Sequence, residues 1–381
     1  MTPGARAAAA IAVLEKVLAG QPCEVALTNW GRASRYAGSG DRTAVRDIVF
    51  DVLRQKRSCA ARGGSDTARG LVLGWARGAG QVALFDGQGH APAVPSEEEA
   101  GREPSGLEAL DCPDWLEKPL QAGLGSDFGP VMQAMQRRAP VFLRVNLARV
   151  TREAAVAALA DQGVEAEPHP LAMSALEVRS GARRVQATAA YLEGLVELQD
   201  AASQAVVEML PLRDGMRVLD LCAGGGGKTL AMAARARLQL VAHDVDRRRM
   251  ADLPARAARA SVTVRIVEQP EKAAPYNLIL TDVPCSGSGS WRRDPEGKWA
   301  LTPSRLEALL ALQAEIMDRA AAMLGEDGWL GYATCSMIDA ENNAQVAGFL
   351  ARHPGWRLEA ERRFTPLQGG DGFYSALLRR G

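Results

Sequence analysis

The chain lacks most of the features that assign a protein quickly. Its six cysteines stand at 23, 59, 112, 222, 285 and 335 with no Cys-x-x-Cys pair, which excludes a dense disulfide framework and points to reduced thiols. Four histidines lie far apart, at 90, 169, 243 and 353, so no zinc-ligand spacing is visible and no metal is expected. No run of about 18 uncharged apolar residues occurs, which excludes a membrane-spanning helix. Nor is either charge in excess, with 45 Lys+Arg against 45 Asp+Glu. The opening stretch MTPGARAAAAIAVLEKVLAG carries Arg6, Glu15 and Lys16 at helical spacing and reads as a surface helix more than a secretion signal. A cytoplasmic protein is the expectation.

What is present is ordinary globular material. The 381 residues are 47% hydrophobic and 24% charged, enough for real cores and for two or three domains at roughly 100–200 residues each. The first 84 residues read as helical. Ala, Leu and Val recur from Ala5 to Leu18. Asp41 then caps DRTAVRDIVFDVLRQKR, whose Val45, Ile48, Val49, Val52 and Leu53 share one face. Arg46, Arg54, Lys56 and Arg57 leave the opposite face basic, either as a solvated surface or as an RNA-facing patch. Residues 85–110 turn to Gly, Pro and acid, with Glu97-Glu98-Glu99, and read as a linker or long surface loop. A small α+β unit over 111–205 follows. In it VFLRVN and ALEVRS are strands around the capped helix TREAAVAALADQG, a βαβ-like arrangement.

From 206 to 381 strands and helices alternate. MRVLDLC, LQLVAHDV, VTVRIVE, YNLILTDV and GWLGYATCS read as strands, with helices GGKTLAMAARARL, DRRRMADLPARAARA, TPSRLEALLALQAEIMDRAAAMLG and DAENNAQVAGFLARH between or after them. Thr302 is an N-cap and Pro303 a first helical residue. Two further strands close the tail, around WRLEAE and YSALLRR. This alternation specifies an α/β fold, a doubly wound and mostly parallel sheet that binds ligands beyond the carboxyl ends of its strands. Every unusual local sequence sits at such an end.

The first strand runs into Asp220-Leu221-Cys222-Ala223-Gly224-Gly225-Gly226-Gly227-Lys228-Thr229. Glycines between a strand and a helix let backbone approach a ligand closely, and the helix start offers free N–H groups. A Walker A loop needs Gly where Cys222 stands. The dinucleotide fingerprint needs Gly or Ala where Thr229 stands. A loop for S-adenosylmethionine survives, with Asp244 at the end of VAHD placed for the ribose hydroxyls. The fourth strand ends in Thr281-Asp282-Val283-Pro284-Cys285, and the fifth in Ala333-Thr334-Cys335-Ser336 ahead of a helix. A thiol near a helix N-terminus can carry a depressed pKa. Two thiols at adjacent strand ends can face one pocket.

A thiol, an acid and a methyl donor together suit methylation at carbon 5 of a pyrimidine. Thiolate addition to carbon 6 turns carbon 5 into an enamine carbon that can attack a sulfonium methyl. An acid can meanwhile hold the N3/N4 edge of the base. The base must be unpaired or flipped out for this chemistry.

These residues resemble the bacterial RNA cytosine-5 methyltransferases of the Sun/Fmu type, which modify small-subunit (16S) ribosomal RNA. LDLCAGGGGKT is similar to their cofactor motif, TDVPCSGSGSWRRDPEGKW to their acid–Pro–Cys motif, and YATCSMIDAENNAQV to their second cysteine motif; LQDAASQ looks like their approach to the first strand. AVRDIVFDVLRQKR resembles part of the NusB-like RNA-binding domain these enzymes carry. The resemblance implies a Rossmann-like S-adenosylmethionine-dependent domain over 206–381 and a NusB-like domain over 1–84. It implies Cys335 as nucleophile, Cys285 as the thiol assisting proton loss and enzyme release, and Asp282 near cofactor and target base. Cys222, Ala223, Gly224, Gly225, Gly226, Gly227 and Lys228 would line the cofactor, and Asp244 would hold its ribose. The family usually has Ala-Pro-Gly-Gly-Lys where this chain has Gly224 to Lys228, a change that loosens the loop but removes no donor. It usually has Asp-Gly after strand three, where Glu268 stands in for the adenosine-side acid.

The implied partner is RNA, bound by a monomer. At zero net charge the attraction must be local. Candidate clusters are Arg137-Arg138-Arg144, Arg183-Arg184, Arg247-Arg248-Arg249 and Arg292-Arg293-Lys298, with Trp291 and Trp299 as stacking platforms. Alternatives stay open: another RNA such as tRNA as substrate, an amino-group methyltransferase, or a non-catalytic RNA-binding protein. The second is disfavoured because Cys285 stands where that chemistry wants an aromatic.

Overall fold

Helix signals written in the first 140 residues are obeyed, with their ends moved. In the computed structural model, which describes residues 1–380, Thr2 accepts a hydrogen bond from the Ala5 N–H and starts α1 (Pro3–Leu18). Helices α2 (Cys23–Ala33), α3 (Ser39–Arg54), α4 (Lys56–Gly63) and α5 (Ala68–Gly78) follow. Asp41 is not the cap of α3. It lies in the first turn and reaches back to the Gly38 N–H at 3.2 Å, so the helix begins earlier than the periodicity implied. Val13, Leu14, Val45, Val49, Val52, Leu71 and Leu73 form the buried centre of this bundle. Three short helices complete the stretch: α6 (Gly106–Ala109), α7 (Glu117–Leu124) and α8 (Phe128–Met135).

The compact unit they form is Met1–Arg138 together with Trp291–Ala300, so its boundary lies at 138 and not within 85–110. The segment expected to be a linker is fastened down. Phe85 is buried, Arg69 pairs with Glu99 at 2.6 Å, the Arg77 guanidinium donates to the Glu99 carbonyl, and the Arg102 N–H donates to the Ala61 carbonyl. The basic face of α3 and α4 is likewise spent inside the unit. Arg46 pairs with Glu24, and Arg57 with Asp114. Arg54 is buried, donating to Asp51 and to the Arg292 carbonyl. A guanidinium has five donors, and burying one requires such partners.

The second unit comprises Ala139–Ser290 and the chain from Leu301 onward. It opens with β1 (Val141–Val145), α9 (Arg152–Ala160), β2 (Glu165–Pro168), β3 (Ala175–Ser180), α10 (Ala189–Leu192) and β4 (Val196–Leu198). The strands make a sheet of order β2-β3-β1-β4, antiparallel throughout. The βαβ-like expectation is corrected on this point: a strand unnoticed in the sequence, EAEP, intervenes, so β1 meets β3 antiparallel. Apolar residues Leu143, Val145, Leu159, Val164 and Leu176 bury one face against α9.

After α11 (Ala201–Glu208) comes the larger sheet, built from β5 (Arg217–Asp220), α12 (Gly227–Ala233), β6 (Gln239–Ala242), α13 (Leu253–Arg259), β7 (Val264–Ile266) and β8 (Tyr276–Asp282). The chain goes on through α14 (Pro295–Ala300), α15 (Pro303–Met323), β9 (Leu324–Thr334), α16 (Asn343–Arg352), β10 (Trp356–Phe364) and β11 (Phe373–Arg380). Strand order is β10-β11-β9-β8-β5-β6-β7, with β9 through β7 parallel and the last two strands an antiparallel hairpin. Thr302 caps α15 as expected. The helix read through DRRRMADLPARAARA is broken into a 3-10 turn at Arg247–Met250 and α13, because Pro254 has no N–H to donate and fits only a first turn. No helix among the described residues is long and apolar enough to cross a membrane.

Helix α14 belongs to the first unit. Its Trp299 indole donates to the Leu53 carbonyl at 2.7 Å, Lys298 donates to the Arg54 carbonyl at 3.2 Å, and Glu296 accepts the Cys23 N–H. Trp291 and Lys298 are buried. Trp291 and this lysine are therefore internal packing, and Trp299 is half-buried with its indole N–H committed to the Leu53 carbonyl.

Helices α4 and α5 touch backbone to backbone. A Cβ on Gly74 would lie 1.8 Å from the Cys59 carbonyl oxygen, whereas one on Gly129 in α8 meets nothing within 4 Å. We expect Gly74→Ala to destabilise the helical unit by about 1–3 kcal/mol or more through overpacking. Gly129→Ala should stabilise it by roughly 0.5–1 kcal/mol through backbone entropy. Opposite shifts of the unfolding midpoint, followed by circular dichroism, check this pair.

Candidate active site

The parallel strands of the second unit place the ends of β5, β6, β8 and β9 along one edge, as a doubly wound sheet must. Past Asp220 the chain turns through Gly224 and Gly226, whose φ values of 51° and 79° lie in the region that side chains avoid. A Cβ on Gly226 would sit 2.3 Å from Leu253, so the loop's glycines serve close packing as well as access. Asp244, at the end of β6, accepts the Gly224 N–H at 2.8 Å and the Asp246 N–H at 2.9 Å. Arg144 is buried and donates to Gln199 and to the Gly227 carbonyl. It braces the loop from the small sheet and is not free to grip RNA.

Asp220 lies beneath the loop, 1% exposed, with one oxygen accepting from Thr229 at 2.6 Å and the other without a partner. Desolvation pushes its pKa up to about 7. Beyond Asp244 a groove of about 480 Å³ runs past Met250, Ile266, Glu268 and Gln269. Glu268 is exposed and paired with Arg247 at its rim.

The acid and the two thiols converge. Lys228, buried in the first turn of α12, donates to Asp282 at 2.6 Å and stands over the Phe373 ring at 4.9 Å. Burial disfavours its charge, but the Asp282 carboxylate more than offsets this, so its pKa ends above the usual lysine value. Cys285 and Cys335 meet with their sulfurs 3.3 Å apart. Their hydrogen bond, then desolvation, holds the Cys285 thiol well above its ordinary pKa. The Cys222 thiol is also pushed up by burial, with Asp220, Asp282 and Asp244 nearby; it lines the turn as an inert thiol. The helix-start argument for Cys335 is corrected by position. α16 begins only at Asn343, beyond a 3-10 turn at Asp339–Glu341, so its first turn does not follow the cysteine directly.

The structure thus gathers Lys228, Asp282, Cys285 and Cys335 in one place and sets Asp244 and Glu268 along the strand ends. It disperses the proposed basic clusters. Arg138 pairs with Asp47, Arg247 with Glu268, Arg248 with Asp246 and Arg249 with Asp244, and Arg292 is buried; Arg183 and Arg184 stay exposed. Sequence reasoning missed Phe373, Ser286, Ser336 and Glu341. A serine directly after each cysteine was a signal; nothing local marks Phe373.

Comparison with known proteins follows the same outline. Residues 207–379 match the family described as 16S rRNA methyltransferase RsmB/F, and residues 112–186 match an RsmF/B-like, ferredoxin-like domain. The chain is similar to Ribosomal RNA small subunit methyltransferase B of Salmonella arizonae, 34% identical over 283 residues that cover 70% of this chain and 66% of that one. The Klebsiella pneumoniae protein of the same name is 35% identical over 288 residues, with the same coverage. The match thus spans just under two thirds of these relatives' length. Among solved structures, PH0851 shares the fold with TM-score 0.79 and 22% identity, covering 100% of this chain and 99% of that one. NSun6 from Pyrococcus horikoshii with SFG gives 0.62 and 18%, over 70% and 98%.

Asp220 generates a pH prediction. Its folded pKa lies above the unfolded value near 3.8, so the folded state holds a proton that the unfolded chain releases. Stability from this group is present at low pH and is lost as pH rises from about 4 to about 7. The melting temperature of Asp220→Asn relative to the parent should therefore climb across that window and level off above it.

Proposed function

This chain belongs to the 16S rRNA methyltransferase RsmB/F family, and on that premise we propose that it methylates carbon 5 of an unpaired or flipped cytosine in small-subunit ribosomal RNA. The observation that carries this reading is the thiol pair at 3.3 Å beside the Lys228–Asp282 pair, at the strand ends that follow a glycine turn. The residues present fit S-adenosylmethionine. Two glycines with positive φ open the backbone between Cys222 and Lys228, Asp244 stands at the end of β6 for the ribose hydroxyls, and the groove towards Glu268 offers room for the adenine. Bound there, that cofactor supplies an electrophilic methyl group.

The chain's own residues do the rest. The Cys335 thiol gives its proton to solvent and its sulfur bonds to carbon 6 of the cytosine, pushing the C5–C6 π electrons toward carbon 5 and making it nucleophilic. Asp282, oriented by Lys228, holds the N3/N4 edge as charge develops on the ring. After methylation the carbon-5 proton must leave and the Cys335–C6 bond must break. Cys285 suits that step. With the Cys335 sulfur bonded to carbon 6, Cys285 loses its proton to solvent and its thiolate takes the proton from carbon 5; the C5–H electron pair re-forms the C5–C6 double bond, and the Cys335–C6 bond breaks with its electrons on the Cys335 sulfur.

Two variants test the roles. Cys335→Ala should lower tritiated-methyl transfer to 16S rRNA by a factor of about a thousand or more. Cys285→Ala should leave enzyme covalently attached to RNA, seen as a shifted band on a denaturing gel. A shifted band from Cys335→Ala instead would exchange the two assignments. Cofactor contact is tested apart from chemistry: Asp244→Ala should weaken S-adenosylmethionine binding by roughly ten- to a hundredfold in calorimetry, the order expected for losing a hydrogen bond to a charged group.

A further inference from the structure

Glu341 takes no part in the chemistry described so far, yet it is fully buried with its carboxyl group surrounded by donors. One oxygen, Oε1, accepts the Ser286 backbone N–H at 2.7 Å and the Gln313 amide at 3.0 Å. The other, Oε2, accepts the hydroxyls of both Ser286 and Ser336. These two serines are the residues that directly follow Cys285 and Cys335. A single carboxyl oxygen therefore binds the neighbour of each thiol, although the two stand on loops from different strands.

The surroundings make the tie rigid. Gln313 also donates to the Pro284 carbonyl, which fixes the residue preceding Cys285. Tyr332 donates to the Glu341 carbonyl at 2.6 Å. Ser288 bridges back to Ser336 and accepts the Met337 N–H, while the Gly289 N–H donates to the Cys335 carbonyl. Burying a carboxyl group is costly unless its lone pairs are used. Here four donors use them, and all but Gln313 belong to the cysteine loops. Without the carboxyl group, Ser286 and Ser336 lose their shared acceptor and the loops are left with links through Ser288 and Gly289; a shift of the sulfurs by an ångström is enough to cost about a hundredfold in rate.

We propose that Glu341 is a positioning residue that sets the separation of the two thiols by holding Ser286 and Ser336 on one carboxyl group. This rests on the two-thiol reading above, and it predicts which step suffers. Loss of the tie leaves Cys335 able to add to the base but displaces Cys285 from the carbon-5 proton, so the adduct forms and is released slowly.

The test is to assay Glu341→Ala, Glu341→Gln and Ser336→Ala for turnover, for covalent RNA complex on a denaturing gel, and for S-adenosylmethionine affinity. In Glu341→Ala, turnover should fall roughly ten- to a hundredfold while the trapped fraction rises several-fold and cofactor affinity stays within about twofold of the parent. Glu341→Gln should rescue in part, because its amide oxygen keeps the Ser286 N–H while the hydroxyls rotate to accept. Ser336→Ala, which removes one arm and no buried acid, should shift the trapped fraction the same way even where Glu341→Ala fails to fold. A trapped fraction that stays level, or falls in proportion to turnover, overturns the proposal. If Cys285→Ala also traps nothing, the two-thiol reading fails first.

Discussion

The pairing of β8 with β9 is the constraint on which the site depends. The strands run parallel with Asp282 opposite Ala333, and the Val283 N–H continues the ladder to the Ala333 carbonyl. That register brings Pro284-Cys285 and Thr334-Cys335 off the sheet side by side, from positions about fifty residues apart. A slip of one residue would send each following side chain to the opposite face. Parallel neighbours also require a long crossover, and the chain supplies it with the excursion through α14 and α15. Gln313, on the returning helix, then reaches both Pro284 and Glu341.

Electrostatics at this edge follow from burial more than from charge count. Lys228, Asp220 and Cys285 are removed from water: desolvation outweighs the Thr229 hydrogen bond at Asp220, Asp282 outweighs desolvation at Lys228, and the Cys335 contact and desolvation act together on Cys285. Lys228 is kept charged by Asp282, Asp220 inclines toward the protonated form, and Cys285 stays a thiol. One short stretch of strand ends thus holds an ion pair, an acid with a raised pKa and a proton-bearing sulfur. Low dielectric makes such arrangements strong when partners are present and costly when they are not. This is why Thr229 and Glu341 matter although neither carries the chemistry.

The balanced charge of the chain has a structural counterpart. Arginine after arginine that read as a basic patch turns out to hold a carboxylate or a carbonyl of its own unit: Arg46 on Glu24, Arg57 on Asp114, Arg144 on Gly227, Arg249 on Asp244. Sequence spacing shows which charges share a helix face, but a partner distant in sequence stays invisible to it. Of the two readings of 85–110, a linker or a long surface loop, the contacts favour the second. Gly, Pro and Glu in 85–110 describe a stretch with little regular structure, and whether it is tethered depends on Arg69, Arg77 and Ala61.

Alternating patterns, caps and glycines are local properties, so strand order from β5 to β11, the Thr302 cap, the turn at Gly224–Gly227 and the place of Asp282, Cys285 and Cys335 at strand ends could all be read from the residues alone. Helix ends and breaks were less legible, because they turn on where Pro254, which has no N–H, can be seated and on which N–H groups the Asp41 carboxylate reaches. The 3.3 Å approach of the sulfurs, the Lys228–Asp282 pair, Phe373 beneath that lysine and the serines gathered on Glu341 were settled only by tertiary structure. Each is a contact between elements far apart in the chain, fixed by sheet register and burial. No local pattern encodes which donors will find a buried carboxyl group.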